Sequence, residues 1–172
     1  MYTLAPDEKT SLVMIYTQQT MIRGEAVVKN AITRVSTWLR TQGAPEYIHL
    51  LNVQILDFSL TPVRTVQYPD FYLPTQQVAA FHLAPPAADS PDYDAGELNR
   101  IMQPITLQVG AFTFKGLLRL AGNATVGGQL EAAHSPWVSA YDLSITTPAI
   151  PSLHLQVNLA LLSPTKVFYG LP

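Results

Sequence analysis

The stretch that decides the fold is residues 21–28, MIRGEAVV, which recurs in diverged form as residues 113–120, TFKGLLRL. Apolar and polar residues largely alternate in both stretches, which is typical of a half-buried β-strand. Gly24 and Gly116 hold the same inward position. A glycine inside a strand indicates a bulge, a bend or the close approach of another backbone. The two stretches therefore predict two equivalent strands, each distorted at its glycine.

Further blocks repeat in the same order along the chain. Residues 34–39 match 125–130, residues 47–55 match 137–145, and a Pro-Thr pair with a nearby Val at 74, 75 and 78 matches 164, 165 and 167. The interval between matched blocks decreases slowly, as short loop deletions would produce. Ordered repeats of this kind predict an internal duplication. We expect a first repeat at residues 11–83, a Pro- and Asp-rich linker at 84–104 and a second repeat at 105–172.

Each repeat contains five or six strand patterns and one short helical connection. Helical spacing of apolar residues predicts a helix within residues 31–40, and three glycines predict a weaker one in residues 122–131. We also expect a helical turn at residues 97–102, and burial of both faces at the end of the strand that finishes near Leu161. Alternation places Tyr47, Leu51, Val53 and Ile55 on one inward face. These patterns predict a mostly β protein of two tandem small β-barrel or sandwich-like domains related by internal duplication.

The segment from Gly24 through residues 34–40 to residues 47–53 resembles an uncharacterised bacterial family of small β-barrel domains. In that family a strand with Gly leads to an Arg-aliphatic-Ser-Asp-aromatic-Leu segment, and an aromatic-aliphatic strand ending near Asp or Asn follows. The resemblance covers part of the first repeat. The second repeat keeps the hydrophobic skeleton and Asp142, and Thr37 stands where the family pattern has Asp. The resemblance implies a small barrel and brings no established activity.

Composition narrows the class of partner. Only 13% of the residues are charged and the net charge is −2, so much of the surface must be apolar or neutral. Such a surface favours self-association or a protein partner. The absence of an evident basic face argues against nucleic acid, because neutralising phosphates supplies most of that affinity.

The sequence lacks cysteine, a signal-peptide pattern and a transmembrane segment. The chain has no Cys, which excludes disulfides and thiolate chemistry. Its start lacks the pattern of a signal peptide, and no apolar stretch reaches the length of about 18 residues that a transmembrane helix needs. We therefore expect a cytoplasmic protein with no membrane contact.

No pattern in the sequence indicates catalysis. The four His residues lack the spacing of metal ligands, and there is no nucleophile elbow or phosphate-binding loop. We predict no catalytic, metal-binding or cofactor-binding residue, no cofactor, and no enzyme activity. The acidic residues at 89, 92, 94 and 97 lack the Gly and the terminal Glu of a calcium loop and predict a solvated, flexible linker.

A non-enzymatic structural or protein-interaction module is the leading hypothesis, and a large exposed apolar patch would support it. The candidate interaction surface comprises Trp38, Arg34, Arg40 and His49. One alternative is a nucleic-acid or nucleotide binder, which would need a basic stripe from Arg23, Lys29, Arg34, Arg40, Lys115 and Arg119. The other is a small-ligand carrier with a site between the repeats, which would need a deep pocket holding His49 with a carboxylate.

Overall fold

The computed structural model describes residues 2–132 and 134–172. Within these residues ten strands form one antiparallel sheet in the order β10-β6-β7-β8-β9-β5-β1-β2-β3-β4. The strands are β1 Glu8–Tyr16, β2 Thr20–Lys29, β3 Tyr47–Asp57, β4 Arg64–Pro74, β5 Ala80–Leu83, β6 Arg100–Val109, β7 Phe112–Ala121, β8 Val138–Thr146, β9 His154–Leu162 and β10 Phe168–Gly170. The mostly β prediction is confirmed. The predicted pair of small barrel or sandwich-like domains is not confirmed: the sheet is not a closed barrel, because β10 and β4 end it without pairing with each other.

Short helical segments connect the second and third strands of each half. A 3₁₀ helix spans Val35–Arg40, and the α-helix α1 spans Val126–Ala132. The prediction of a weaker helix in the second half is therefore wrong. Thr125 explains part of the difference: its hydroxyl accepts the N–H of Gly128 at 3.1 Å, and its carbonyl accepts the N–H of Gln129 at 2.9 Å. These bonds begin the helix in spite of its glycines.

The expected helical turn at residues 97–102 is also wrong. Arg100 begins β6, where it lies opposite Ala121 of β7. Pairing with β7 determines the conformation of residues 100–102. A short helical pattern in the sequence contains no information about that distant strand.

Both glycines of the repeated stretch lie opposite bulges in the neighbouring strands, where the backbones approach closely, which is one of the features that the sequence predicted. The β2–β3 register shifts between Arg23 and Glu25, and the β7–β8 register shifts between Lys115 and Leu117. A Cβ on Gly116 would lie only 2.6 Å from a backbone carbonyl oxygen of β8. The extra residue of each bulge lies on the partner strand, β3 or β8, where one residue adopts a left-handed conformation: Asn52 with φ 51° and Asp142 with φ 50°.

The Asn52 conformation corrects the predicted inward face of β3. Ile48 and Leu50 are buried before Asn52, and Val53 and Ile55 are buried after it. Simple alternation through Asn52 is therefore broken, because a left-handed residue re-aims the strand. The remaining predicted members of that face, Tyr47 and Leu51, are exposed and half-buried respectively.

Two hydrophobic cores meet the sheet on opposite faces at β1. Val13 and Ile15 belong to the core of the first half, whereas Met14 and Tyr16 belong to the core of the second half. Successive side chains of a strand point to opposite faces, so β1 is covered on both sides. Residues 159–162 of β9 are likewise all buried, which confirms the predicted two-sided burial.

The two halves join through β5 and β9. Ala80 lies opposite Leu162, and Phe81 lies opposite Leu161. A backbone bond from the Ser163 N–H to the Ala79 carbonyl, 2.8 Å long, extends this join. The repeats predicted from sequence therefore share one continuous sheet.

Candidate interaction surface

Most of the large exposed apolar side chains lie at or near the two free edges of the sheet. On β3 and β4 they are Tyr47, Val66, Tyr68 and Tyr72, and at the other edge they are Phe168 of β10 and Ile101 of β6. Others lie in the N-terminal segment (Tyr2, Leu4), the β3–β4 loop (Leu60), the linker (Leu98) and the C-terminal tail (Leu171). An edge strand also presents unpaired backbone N–H and C=O groups, so these edges combine apolar area with hydrogen-bonding capacity.

An aromatic cluster orders the β3–β4 surface around His49. The His49 ring stacks on the Tyr72 ring with centroids 4.4 Å apart and 6° between planes, and the Tyr2 ring meets it edge-on at 4.4 Å. His49 Nε2 lies 2.8 Å from Oδ1 of Asp70. These contacts hold the Tyr72 ring in one place while it stays 55% exposed. A fixed, exposed aromatic ring is a common anchor for a protein partner.

A groove of about 410 Å³ adjoins this cluster. Its walls are mainly apolar, and its polar groups include Glu8, Lys29 and His49. Glu8 accepts the Ala5 N–H at 2.9 Å and the Tyr2 hydroxyl at 2.8 Å, and these bonds lower the pKa of its carboxyl to about 2. The groove therefore contains a carboxylate that stays ionised at neutral pH.

The structure does not gather the four sequence-predicted surface residues into one patch. Trp38 packs in the core of the first half and is 5% exposed, and it also lines the inner wall of the groove beside His49. Arg34 donates to the Ser90 carbonyl, and Arg40 donates to Asp92 of the linker. His49 alone of the four lies on the β3–β4 surface.

The linker is anchored at Asp92, which corrects the prediction of a solvated, flexible segment there. The Asp92 carboxylate accepts from Arg40 at 2.7 Å, from Ser139 at 2.7 Å and from Tyr141 at 2.6 Å. Burial by itself raises the pKa of Asp92, but the Tyr141 and Ser139 hydroxyls and the Arg40 guanidinium together hold it below its usual value. These donors come from both halves of the chain, from the 3₁₀ helix of the first half and from β8 of the second.

Asp89 anchors the linker in the same way. Its carboxylate accepts the Ser36 hydroxyl at 2.6 Å and the Ser36 N–H at 3.2 Å, and its carbonyl accepts from Asn158 at 2.7 Å. All of these partners are more than fifty positions away in the sequence, so local composition gave no signal of them.

Most of the basic residues of the proposed stripe have polar partners. Arg119 pairs with Glu97 at 2.6 Å and lies 4.7 Å from the centre of the Tyr93 ring, and Lys29 pairs with Asp7 at 3.0 Å. Arg34 and Arg40 bind the linker, as described above. A cleft of about 360 Å³ lined in part by arginines lies beside the linker, but its arginines already neutralise carboxylates. Paired guanidinium groups offer less attraction to phosphate than free ones.

Sequence reasoning missed a buried polar pair beside the β5–β9 join. His82 is completely buried, and its Nδ1 lies 2.7 Å from the Leu83 carbonyl, which can only accept. Nδ1 therefore carries the proton, and Nε2 accepts from the Tyr16 hydroxyl 3.1 Å away. Burial lowers the pKa of His82 to about 4, so the ring is neutral at pH 7. The apolar run at residues 78–81, directly before His82, was the feature of the sequence that could have indicated its burial.

Within the described part of the chain, no group of three or more His, Cys, Asp or Glu residues is placed to hold a metal ion. No helix there has the length and apolar character needed to cross a membrane. A scan against protein-family models, a search of curated proteins and a search of solved structures found no match to this chain.

Proposed function

We propose that this chain is a non-enzymatic structural or protein-interaction module that engages its partner through the free edges of its sheet. The observation that carries this proposal is the concentration of exposed apolar side chains at both edges, next to unpaired backbone groups. An extended partner strand can satisfy the backbone groups while its side chains cover the apolar ones. The low charge of the chain is consistent with such contacts.

We also propose that the chain arose from two copies of one unit. Glu8 lies opposite Lys29 in the first hairpin, and Arg100 lies opposite Ala121 at the same interval in the second half. In each half the third strand has a bulge with one left-handed residue, and the glycine of the second strand lies opposite it. These parallels support duplication. The boundaries at 11–83, 84–104 and 105–172 stay predictions, as do the cytoplasmic location and the family resemblance.

Photo-crosslinking in the cells that make the protein tests the interaction proposal. A benzophenone amino acid replaces Tyr68 on β4 in one variant and Leu98 of the linker in the other. Both positions are exposed, but only Tyr68 lies on a sheet edge. We expect a defined protein adduct from the Tyr68 variant and none from the Leu98 variant. Equal labelling at the two positions, or no adduct at Tyr68, would contradict the proposal.

A small-ligand carrier is the second candidate, favoured by the groove beside His49. The groove lies within the first half, whereas the sequence predicted a site between the repeats. An apolar fluorescent dye such as anilinonaphthalene sulfonate should brighten on binding there and lose that response in Ile32→Glu, which places a charge on the groove wall. Leu60→Glu, at the distant β3–β4 loop, is the control. An unchanged response in Ile32→Glu would remove this candidate.

The nucleic-acid alternative has less support, because the basic residues are mostly paired. Absorbance at two wavelengths across the chromatographic peak of the purified chain tests it. A protein-only spectrum is expected, and excess nucleic-acid absorbance would reverse this ranking.

A further inference from the structure

The strand β10 is the counterpart of β5. Ala80 of β5 lies opposite Tyr16 of β1, and Phe168 of β10 lies opposite Gln108 at the same level of β6. Each of these strands returns beside the first strand of its own half. The difference is that β5 has a second neighbour, β9, whereas β10 has none.

The strand β4 is, in the same way, the counterpart of β9. Leu162 of β9 lies opposite Val138 of β8, and Leu73 of β4 lies opposite Ile48 at the same level of β3. The pair that forms the join inside the chain therefore has an unused counterpart, β10 and β4, at the two ends of the sheet.

We propose that β10 of one copy of this chain pairs antiparallel with β4 of a second copy, in the register of the internal join. That register places Phe168 opposite Leu73 and Tyr169 opposite Tyr72. The inference rests on the proposed function and names the partner as the chain itself.

The side chains at the free edges match this assignment. In the internal join Ala80 and Leu161 are fully buried. Their counterparts at the edges, Phe168 and Tyr72, are 76% and 55% exposed and larger. Covering them with a second copy removes apolar area from water, which is the main favourable term in association.

The residues that block pairing along β4 lie outside the segment that this register uses. Edge strands are commonly blocked by proline and charged residues. In β4 the blocking residues are Pro69, Asp70 and Pro74, which flank the uncharged residues 71–73. β10 has three residues, Phe168–Gly170, and the proposed register lays them on residues 71–73.

The contact between copies is expected to be weaker than the internal join. The internal join has an additional bond from the Ser163 N–H to the Ala79 carbonyl. The counterpart of Ser163 is Pro74, which has no N–H. The contact uses different surfaces on the two copies, so it leads to a ring or to an open series. We therefore expect reversible assembly that depends on concentration.

Light scattering across a concentration series is the first test. The mass of the wild-type chain should rise above 18.9 kDa with concentration. Phe168→Asp should keep the mass of a single chain, because the carboxylate would be buried in the contact. Leu98→Asp changes a similarly exposed side chain in the linker, outside β4 and β10, and should behave as wild type. A single-chain mass at the highest soluble concentration of wild type would overturn the inference.

Disulfide trapping tests the register, and the chain offers a cysteine-free background. Residues directly opposite in antiparallel strands have Cα atoms about 4.5–5.5 Å apart, within the range of a disulfide. Mixing Tyr72→Cys with Tyr169→Cys should give a disulfide-linked dimer under mild oxidation. Mixing Gln67→Cys with Tyr169→Cys should give none, because Gln67 lies about 17 Å further along β4. Equal yields would overturn the register.

The outcomes separate this inference from the proposed function. A Tyr68 photo-adduct with a different protein, together with a single-chain mass in solution, would keep the interaction module and overturn self-pairing. No adduct together with a single-chain mass would overturn both. An adduct between two copies of the chain, lost in Phe168→Asp, supports both.

Discussion

Acidification should destabilise the fold through His82, at a pH above the range where the carboxylates titrate. The neutral ring donates from Nδ1 to Leu83 and accepts from Tyr16 at Nε2, so both nitrogens are satisfied. A proton on Nε2 would bury a charge without a carboxylate partner and place a second donor against the Tyr16 oxygen. The pKa of His82 is accordingly lowered from 6.5 to about 4 in the folded state.

The sign and size of the effect follow from linkage. The folded pKa of His82 lies below the unfolded value, so the unfolded state binds the proton more tightly. The contribution to stability is complete above pH 6.5 and is lost as the pH falls through 6.5 toward 4. This difference in pKa corresponds to about 3 kcal/mol of unfolding free energy, at about 1.36 kcal/mol for each pH unit. Glu8, whose pKa is lowered from 4.5 to about 2, begins to lose its contribution only as the pH falls through 4.5, at the lower end of this window.

Urea denaturation at a series of pH values from 7 to 4 measures the effect. The wild-type chain should lose about 3 kcal/mol across the range. His82→Gln starts from a lower stability, but it should show a much flatter pH dependence because the amide does not titrate. His154→Gln, a change at an exposed histidine of β9, should keep the wild-type slope. Parallel curves for wild type and His82→Gln would refute the assignment.

Three further predictions concern single positions, each measured as a change in the free energy of unfolding in urea. Gly116→Ala should cost about 1–3 kcal/mol and more than Gly24→Ala. The added Cβ would lie 2.6 Å from a backbone oxygen at Gly116, but 3.0 Å from a movable side chain at Gly24. Equal costs would contradict this interpretation of the bulges. Asp92→Ala should cost about 2–4 kcal/mol, because the Tyr141 and Ser139 hydroxyls and the Arg40 guanidinium would lose their acceptor. It should also speed proteolysis of the linker. An unchanged cleavage rate would show that Asp92 does not anchor the segment. Asn52→Val should cost about 1–2 kcal/mol while Asn52→Gly stays near neutral, because φ is 51° there; similar stabilities of the two variants would argue against the left-handed conformation.

The sequence was most informative where a local rule applies. A glycine at the same inward position of two matched strands predicted a bulge, a bend or a close backbone approach, and both glycines lie opposite bulges; the apolar end of β9 predicted burial on both faces. It was misleading at Tyr47 and Leu51, because alternation assumes a regular strand and the left-handed Asn52 interrupts it. Nothing in composition distinguishes a left-handed asparagine from any other asparagine in a strand pattern.

Pairing between residues far apart in the chain determines the features that could not be predicted from the sequence. A small barrel and an open sheet can be built from the same strands, and the difference here is that β5 pairs with β9 of the other half. The local sequence around Asp89 and Asp92 suggests solvent exposure, yet their donors lie on a distant 3₁₀ helix and a distant strand. The placement of the predicted surface residues has the same cause, since Arg34 and Arg40 contact the linker and Trp38 packs in a core.

The open sheet gives the exposed edges a physical origin. When two similar units join edge to edge through β5 and β9, one copy of each joining strand is left over, and these are β10 and β4. A chain that had no use for the leftover strands could block them with charge or proline, as Pro69 and Asp70 do for the middle of β4. Instead Phe168 and Tyr72 expose large aromatic rings on the segments that correspond to the buried join. The proposed interaction through these edges would account for that exposure. The paired arginines and the closely packed linker, by contrast, have their polar groups satisfied within the chain, so no ligand is needed to explain them.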